Sequence, residues 1–153
     1  LAQDEGEAEG VHALAAGRLL ARRGEHEGAR ARLQQAVRTL ARSPREAARE
    51  VEAMMRLAAL HKTAGRRDLA APLWHEVTSR PGMPAQRAYQ ELAIYYERHA
   101  RDFVASIEVI EQALSYAEGR MRLGDERAAD WHDSLLLRRS RVHSRLARST
   151  PQR

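Results

Sequence analysis

Apolar residues recur along this chain at three- and four-residue intervals, the spacing of one face of an α-helix. The pattern is clearest around Tyr89, Leu92, Ala93 and Tyr96, and again at Phe103, Ile107, Ile110, Ala113 and Leu114. Between them Asp102 can cap a helix start by accepting backbone N–H bonds, so the stretch reads as a helical hairpin. A hairpin this short buries one seam and is stable only beside similar neighbours.

The same reading extends in both directions. Residues 1–10 carry Asp4, Glu5, Glu7 and Glu9 without a cation and read as an acidic, flexible lead-in. A first helix is predicted from about Val11 to Arg23 and a second from Glu25 to Ala41, with Gly24 as the stop between them. Ser43-Pro44-Arg45-Glu46 has the form of a capping box and predicts a third helix over 44–64, ended by Gly65. Asp68 opens a fourth helix to about Ser79, with Pro72 near its first turn. Pro81-Gly82-Met83-Pro84 is a break. Glu118 to Gly124 reads as a connector to a last, heavily charged helix over 125–148, followed by a tail at 149–153. The predicted hairpins therefore span about 11–41, 44–79 and 84–117, within one helical domain covering 11–148.

Superposition of the hairpins shows an internal repeat. Ala13, Ala16, Gly17, Leu20, Gly24, Ala29, Leu33 and Ala36 match Met54, Leu57, Ala58, His61, Gly65, Ala70, Trp74 and Val77 at a constant offset. The third copy, with Tyr89, Leu92, Ala93, Tyr96, Ser106, Ile110 and Ala113, fits after one residue is inserted in its turn. This arrangement resembles the tetratricopeptide (TPR) pattern, in which small residues mark the closest helix contacts and large ones fill the gaps between repeats. The Gly24 to Gly65 interval exceeds the family's repeat of about 34 residues. The resemblance implies an all-α, TPR-like right-handed stack of about three helical hairpins, with the 125–148 helix as its C-terminal cap.

A narrower resemblance is carried by ELAIYYERHARDFVASIEVIEQAL, residues 91–114, with its paired tyrosines, its inserted turn residue and the Asp102-Phe103 step. It looks like the C-terminal repeat region of bacterial YprB-type proteins, which place such repeats after an RNase-H-like, exonuclease-type domain. That resemblance implies a metal-dependent 3'-5' exonuclease-type parent whose carboxylates lie upstream. The chain opens on Leu1, which itself reads as a piece of something longer.

Composition narrows the function classes. The 153 residues are rich in helix formers, contain no cysteine and hold no apolar run approaching the ~20 residues that span a bilayer. Without cysteine there is no disulfide, thiol nucleophile or Cys-ligated zinc, and the expected location is the cytoplasm, with no membrane partner. The seven histidines, at 12, 26, 61, 75, 99, 132 and 143, include no HExxH and no i, i+4 pair. No glycine-rich phosphate loop and no framed nucleophile occurs, so the expectation is a non-catalytic fragment with no catalytic residue, no metal and no cofactor. His61 stands where the TPR pattern has a tyrosine and reads as a packing residue.

The charge points to binding. The formal net charge is +5, and Lys62 is the only lysine. In a right-handed stack, the first helix of each hairpin lines the concave face, and its off-seam residues would be Leu14, Arg18, Arg22, Met55, Lys62, Arg87, Gln90, Ile94 and Arg98. Such a groove suits a protein or acidic peptide, and a nucleic-acid backbone is the second ligand class. Asparagine is absent, which disfavours the carboxylate clamp of chaperone-tail-binding TPR domains. A second basic candidate is the terminal helix, where Arg138, Arg139, Arg141, Arg145 and Arg148 follow Asp133 with no further acid in the sequence. Trp131 reads as a core anchor. The expected function is an interaction or scaffold module, attached to a nuclease-type protein, that also docks the upstream domain; the alternative is a peptide- or protein-sensing TPR domain of a regulatory protein unrelated to nucleic acid.

Overall fold

The computed structural model describes residues 2–80 and 85–151. The Pro81–Pro84 break lies outside the described residues. Within them the chain is all-helical, with seven α-helices and no strand. Where the sequence predicts one repeat domain, the helices group into two compact units, Leu1–Ala85 and Gln86–Arg153.

The first unit holds α1 (Ala2–Arg22), α2 (His26–Leu40), α3 (Ala47–Thr63) and α4 (Arg67–Thr78). Its centre is apolar: Ala13, Leu14, Leu33, Ala36, Leu40, Ala53 and Leu57 are buried together, with Val11, Val37, Leu60 and Leu73 against them. Helices α1 and α2 approach closely because α1 presents glycine at the contact. A Cβ at Gly10 would lie 2.7 Å from Leu40 Cδ2, and one at Gly17 would lie 2.8 Å from Leu33 Cγ. The seam continues into the segment expected to be flexible. Residues 2–10 belong to α1, Gly10 is buried, the Gln35 amide donates to Glu9 Oε1 at 2.7 Å, and Glu7 accepts the Ser43 hydroxyl. The acids there have partners on α2 and beyond it, so their charge does not keep this stretch from folding.

That contact also changes the Ser43 cap. The capping box does not form: Ser43 gives its hydroxyl to Glu7, Glu46 pairs with Arg49, and a single 3₁₀ turn (Pro44–Glu46) precedes α3. The glycine stops behave as predicted. Gly24 and Gly65 sit at φ 76° and 75°, and each is followed by a residue whose N–H reaches five carbonyls back, Glu25 to Leu20 and Arg66 to His61. Only glycine adopts this left-handed geometry without crowding a Cβ. The same turn recurs at Gly124 in the second unit, with Asp125 N–H donating to Arg120.

The second unit holds α5 (Gln86–Ile94), a π-helical turn (Tyr95–His99), α6 (Phe103–Arg122) and α7 (Glu126–Ser149). Asp102 caps α6 through Ala105 N–H at 3.0 Å, and Asp125 caps α7 through Arg127 N–H at 3.1 Å. The predicted connector from Glu118 is instead helical through Arg122. Glu118, Arg120, Met121 and Arg122 are good helix formers and carry the helix past Gly119, so only Leu123, Gly124 and Asp125 make the turn. The rings of Tyr89, Tyr116 and Trp131 meet at centroid distances of 5.6 to 6.4 Å and form the aromatic part of the core. Ser106, fully buried, donates its hydroxyl to the Ala93 carbonyl at 3.2 Å.

Candidate interaction surfaces

In the first unit one off-seam cation of α1, Arg18, faces an acid from α3. Arg18 forks onto Glu52, with Nε 2.8 Å from Oε1, and Arg56 donates to the same carboxylate at 2.6 Å from one turn further along α3. Two guanidiniums thus share one carboxylate. The Arg18 hydrogen bond holds the Glu52 carboxyl below its ordinary value, against a partial burial that would raise it. Arg22, one turn beyond Arg18 on the same side of α1, is exposed. Met55 and Lys62 are half-buried, so they offer less surface than their position predicts. Leu14, also placed on this face by the sequence, is 2% exposed and belongs to the core, because α1 meets its neighbours over a broader arc than one seam.

Arg87, Gln90 and Arg98 belong to the second unit and are exposed, the first two on α5 and the third in the π-helical turn. Ile94 is half-buried there. Of the nine candidates, five thus belong to the first unit and four to the second.

The π-helical turn is how the third hairpin accommodates its inserted residue. From Leu20 to Gly24 and from His61 to Gly65 the helix runs four residues to its left-handed stop; from Tyr96 to the corresponding Arg101 it runs five. The Ala100 N–H reaches back five residues to Tyr95 and the Asp102 N–H six to Tyr96, at 2.9 and 2.8 Å. Arg101 takes the left-handed position at φ 51°, where the other turns have glycine. Glu97 lies inside this wide turn, four residues after the buried Ala93, and is itself buried, with its side chain 1% exposed.

A carboxylate so placed needs positive partners, and α7 supplies three. Arg138 Nη1 is 2.8 Å from Glu97 Oε2, while Arg145 Nη1 and Arg141 Nε lie 3.3 and 3.5 Å from Oε1. Residues 138, 141 and 145 are spaced to fall on one face of a helix. The Oε1 atom is buried yet accepts no well-directed hydrogen bond. Compared with known protein families, with curated proteins and with solved structures, the chain matches none. Its chemistry has to be read from this geometry.

The terminal arginine cluster is therefore not the uncompensated field that its local sequence predicts. Glu97 meets Arg138, Arg141 and Arg145, and Glu111 meets Arg139 at 2.9 Å. The acids come from 28 to 48 residues upstream and no local window contains them. A residual charge persists, because three arginines surround one glutamate. Trp131, expected as an anchor, is buried at the ring cluster. Among the described residues no group of three or more His, Asp or Glu converges to hold a metal, and no helix is long and apolar enough to cross a membrane.

The sequence reading missed three acids that organise these surfaces: Glu50, Glu52 and Glu97. Glu50 is buried on α3 and takes a two-pronged contact from Arg80, at 2.8 and 2.7 Å. One signal was available for Glu97, namely the extra residue in the third turn. Nothing local marks Glu50.

Proposed function

We propose that this chain is a non-catalytic, TPR-like interaction module that grips a protein or acidic peptide partner through arginine-lined helix faces. The reading is supported by the recurrence of buried positions between the first two hairpins. Ala29 and Ala70, Leu33 and Trp74, and Ala36 and Val77 are all buried at the same offset, and Gly24 and Gly65 repeat one turn geometry. Repeated hairpins of this kind present extended faces suited to binding.

The observation that carries the reading is the Arg18–Glu52–Arg56 arrangement. Glu52 restrains two guanidiniums that stay about half exposed, so their remaining N–H groups can fork onto a carboxylate of a partner without much further loss of side-chain freedom. In this reading the module positions a nuclease-type catalytic domain elsewhere in its protein, as the resemblance of residues 91–114 implies. No cofactor enters the binding.

The test is a titration of the full chain with an Asp/Glu-rich dodecapeptide and with single- and double-stranded oligonucleotides, each at low and moderate salt. Peptide binding that Arg18→Glu with Arg22→Glu weakens at least tenfold supports the reading. Binding only of oligonucleotides, with a steep salt slope, would transfer the surface to phosphate backbones. Binding of neither would reject the module as an acidic-partner receptor.

A further inference from the structure

The surplus of arginine around Glu97 is larger than burial of one carboxylate requires. The first unit gives the measure: Glu50 is as deeply buried, and one arginine just past α4, Arg80, meets both of its oxygens. Glu97 collects three arginines, of which Arg138 alone makes a well-directed hydrogen bond. Arg141 and Arg145 remain 49% and 41% exposed. Side chains held by charge at their inner edge, yet open to solvent, are pre-positioned donors.

We propose that Arg138, Arg141 and Arg145, arranged around Glu97, form a receptor for one phosphate monoester, carried by a phosphorylated serine or threonine of a partner protein. The charges agree. Three guanidiniums and one carboxylate leave an excess of two positive charges, and a phosphomonoester brings about −1.5 to −2 near neutrality. Planar guanidiniums present paired N–H groups that match phosphate oxygens. Glu97 has the role of a positioning residue, holding the triad from below while its own charge keeps the empty site from being three unbalanced cations.

A single phosphate fits better than a nucleic-acid strand. The triad spans eight residues of α7, seven steps or about 10 Å along the axis, which suits one anion and not a row of them. Toward the start of α7 the basic track stops, and past Arg145 a single further arginine, Arg148, continues it on the same face. Arg139 is engaged by Glu111, and His132, further toward the start of α7, faces Glu118 at 3.3 Å. On α6 and α7 Phe103 is buried, and Tyr116 and Trp131 are engaged with Tyr89 in the core cluster, so α7 has no open tyrosine, phenylalanine or tryptophan ring on which a base could stack.

The experiment measures affinity by calorimetry on the full chain at low salt. The probes are inorganic phosphate, O-phosphoserine, a hexapeptide with or without phosphorylation at its single serine, and an oligonucleotide with or without a 5'-phosphate. The expected result is binding of the phosphorylated peptide at least tenfold tighter than its unphosphorylated form. Arg141→Ala with Arg145→Ala should weaken phosphate and phosphopeptide at least tenfold, with folding checked by the Trp131 fluorescence transition. Glu97→Gln, which keeps the shape and removes the charge, should tighten phosphate severalfold; a purely structural Glu97 would lower stability and leave that affinity unchanged. Absence of phosphate binding, or binding that survives the double substitution, overturns the proposal. So does oligonucleotide binding indifferent to the terminal phosphate. Acidic-peptide binding at Arg18 and Arg22 is read on different residues, so either claim can fail without the other.

Discussion

Each unit buries one glutamate on an early helix and meets it with arginine from a later segment, and the two solutions differ. Glu50 on α3 and Arg80 just past α4 form a closed two-pronged pair, with Glu76 adding a second acid to the arginine at 3.1 Å. Charge there is balanced with acid to spare. Glu97 has three arginines and an oxygen without a directed bond, so its surroundings are left positive. A buried pair that is closed on itself contributes to holding a structure together; one left in charge excess remains ready to take another anion. At these two buried sites, then, Arg80 is closed on acid, and the arginines around Glu97 leave donors over.

The sharpest way to break that contrast is to delete one arginine from each site. Arg80→Ala strands Glu50 and should cost about 3–5 kcal/mol, the range for a buried pair that loses one partner. Arg138→Ala should cost about 1–2 kcal/mol, because two further cations stay within reach of Glu97. The two tryptophans, Trp74 and Trp131, lie one in each unit, so urea unfolding followed in single-tryptophan backgrounds reads the two losses separately. Equal losses would mean that the extra arginines do nothing for Glu97.

The glycines provide a second contrast. Gly17→Val places side-chain atoms into Leu33 and should destabilise the first unit by about 1–3 kcal/mol through overpacking. Gly119→Ala on α6 meets no atom within 4 Å and should stabilise the second by about 0.5–1 kcal/mol by raising helix propensity. Thermal melts of both variants decide it; a neutral Gly17→Val would show that α1 and α2 can part without penalty.

Arg101→Gly addresses the inserted turn. A left-handed arginine carries a steric cost that glycine lacks, so the variant should gain about 1 kcal/mol at the Trp131 transition. No gain would mean that the π-helical turn imposes this conformation without strain.

The smallest effect is a loss of stability of the first unit between neutral and mildly acidic pH. Burial, then the nearby Arg30 and Arg66, hold the His61 imidazole below its ordinary value, with Asp68 opposing weakly; burial also lowers His75 on α4. The unfolded chain therefore binds protons more readily than the folded one. The stabilising contribution is whole above the unfolded value of about 6.5 and shrinks as the pH falls below it. His61→Tyr should flatten part of the loss seen at Trp74 between neutral and mildly acidic pH, and His75→Gln a further part. In the second unit the superposed position is Tyr96, whose burial raises its hydroxyl further from that range.

Much of the helical framework was legible because its causes are local. The spacing of Tyr89, Leu92 and Ala93, the stops at Gly24 and Gly65 and the Asp102 cap each depend on residues a few positions apart. Even the inserted residue of the third hairpin was visible as a break in register, although not as a π-helical turn. Local signals misled where a distant group competed for the same atom. Ser43 reads as a cap but gives its hydroxyl to Glu7, 36 residues earlier, and the acidic start reads as a flexible lead-in but is the first part of α1, along its glycine seam.

What the sequence determined by itself is the alternation of helix and turn, since hydrogen bonding and hydrophobic periodicity within a helix close over three to five residues. What only the tertiary structure decided is which charges remain available. An arginine is neutralised by whichever carboxylate the packing brings within about 4 Å, and for Arg80, Arg18 and Arg138 that carboxylate lies 30, 34 and 41 residues away.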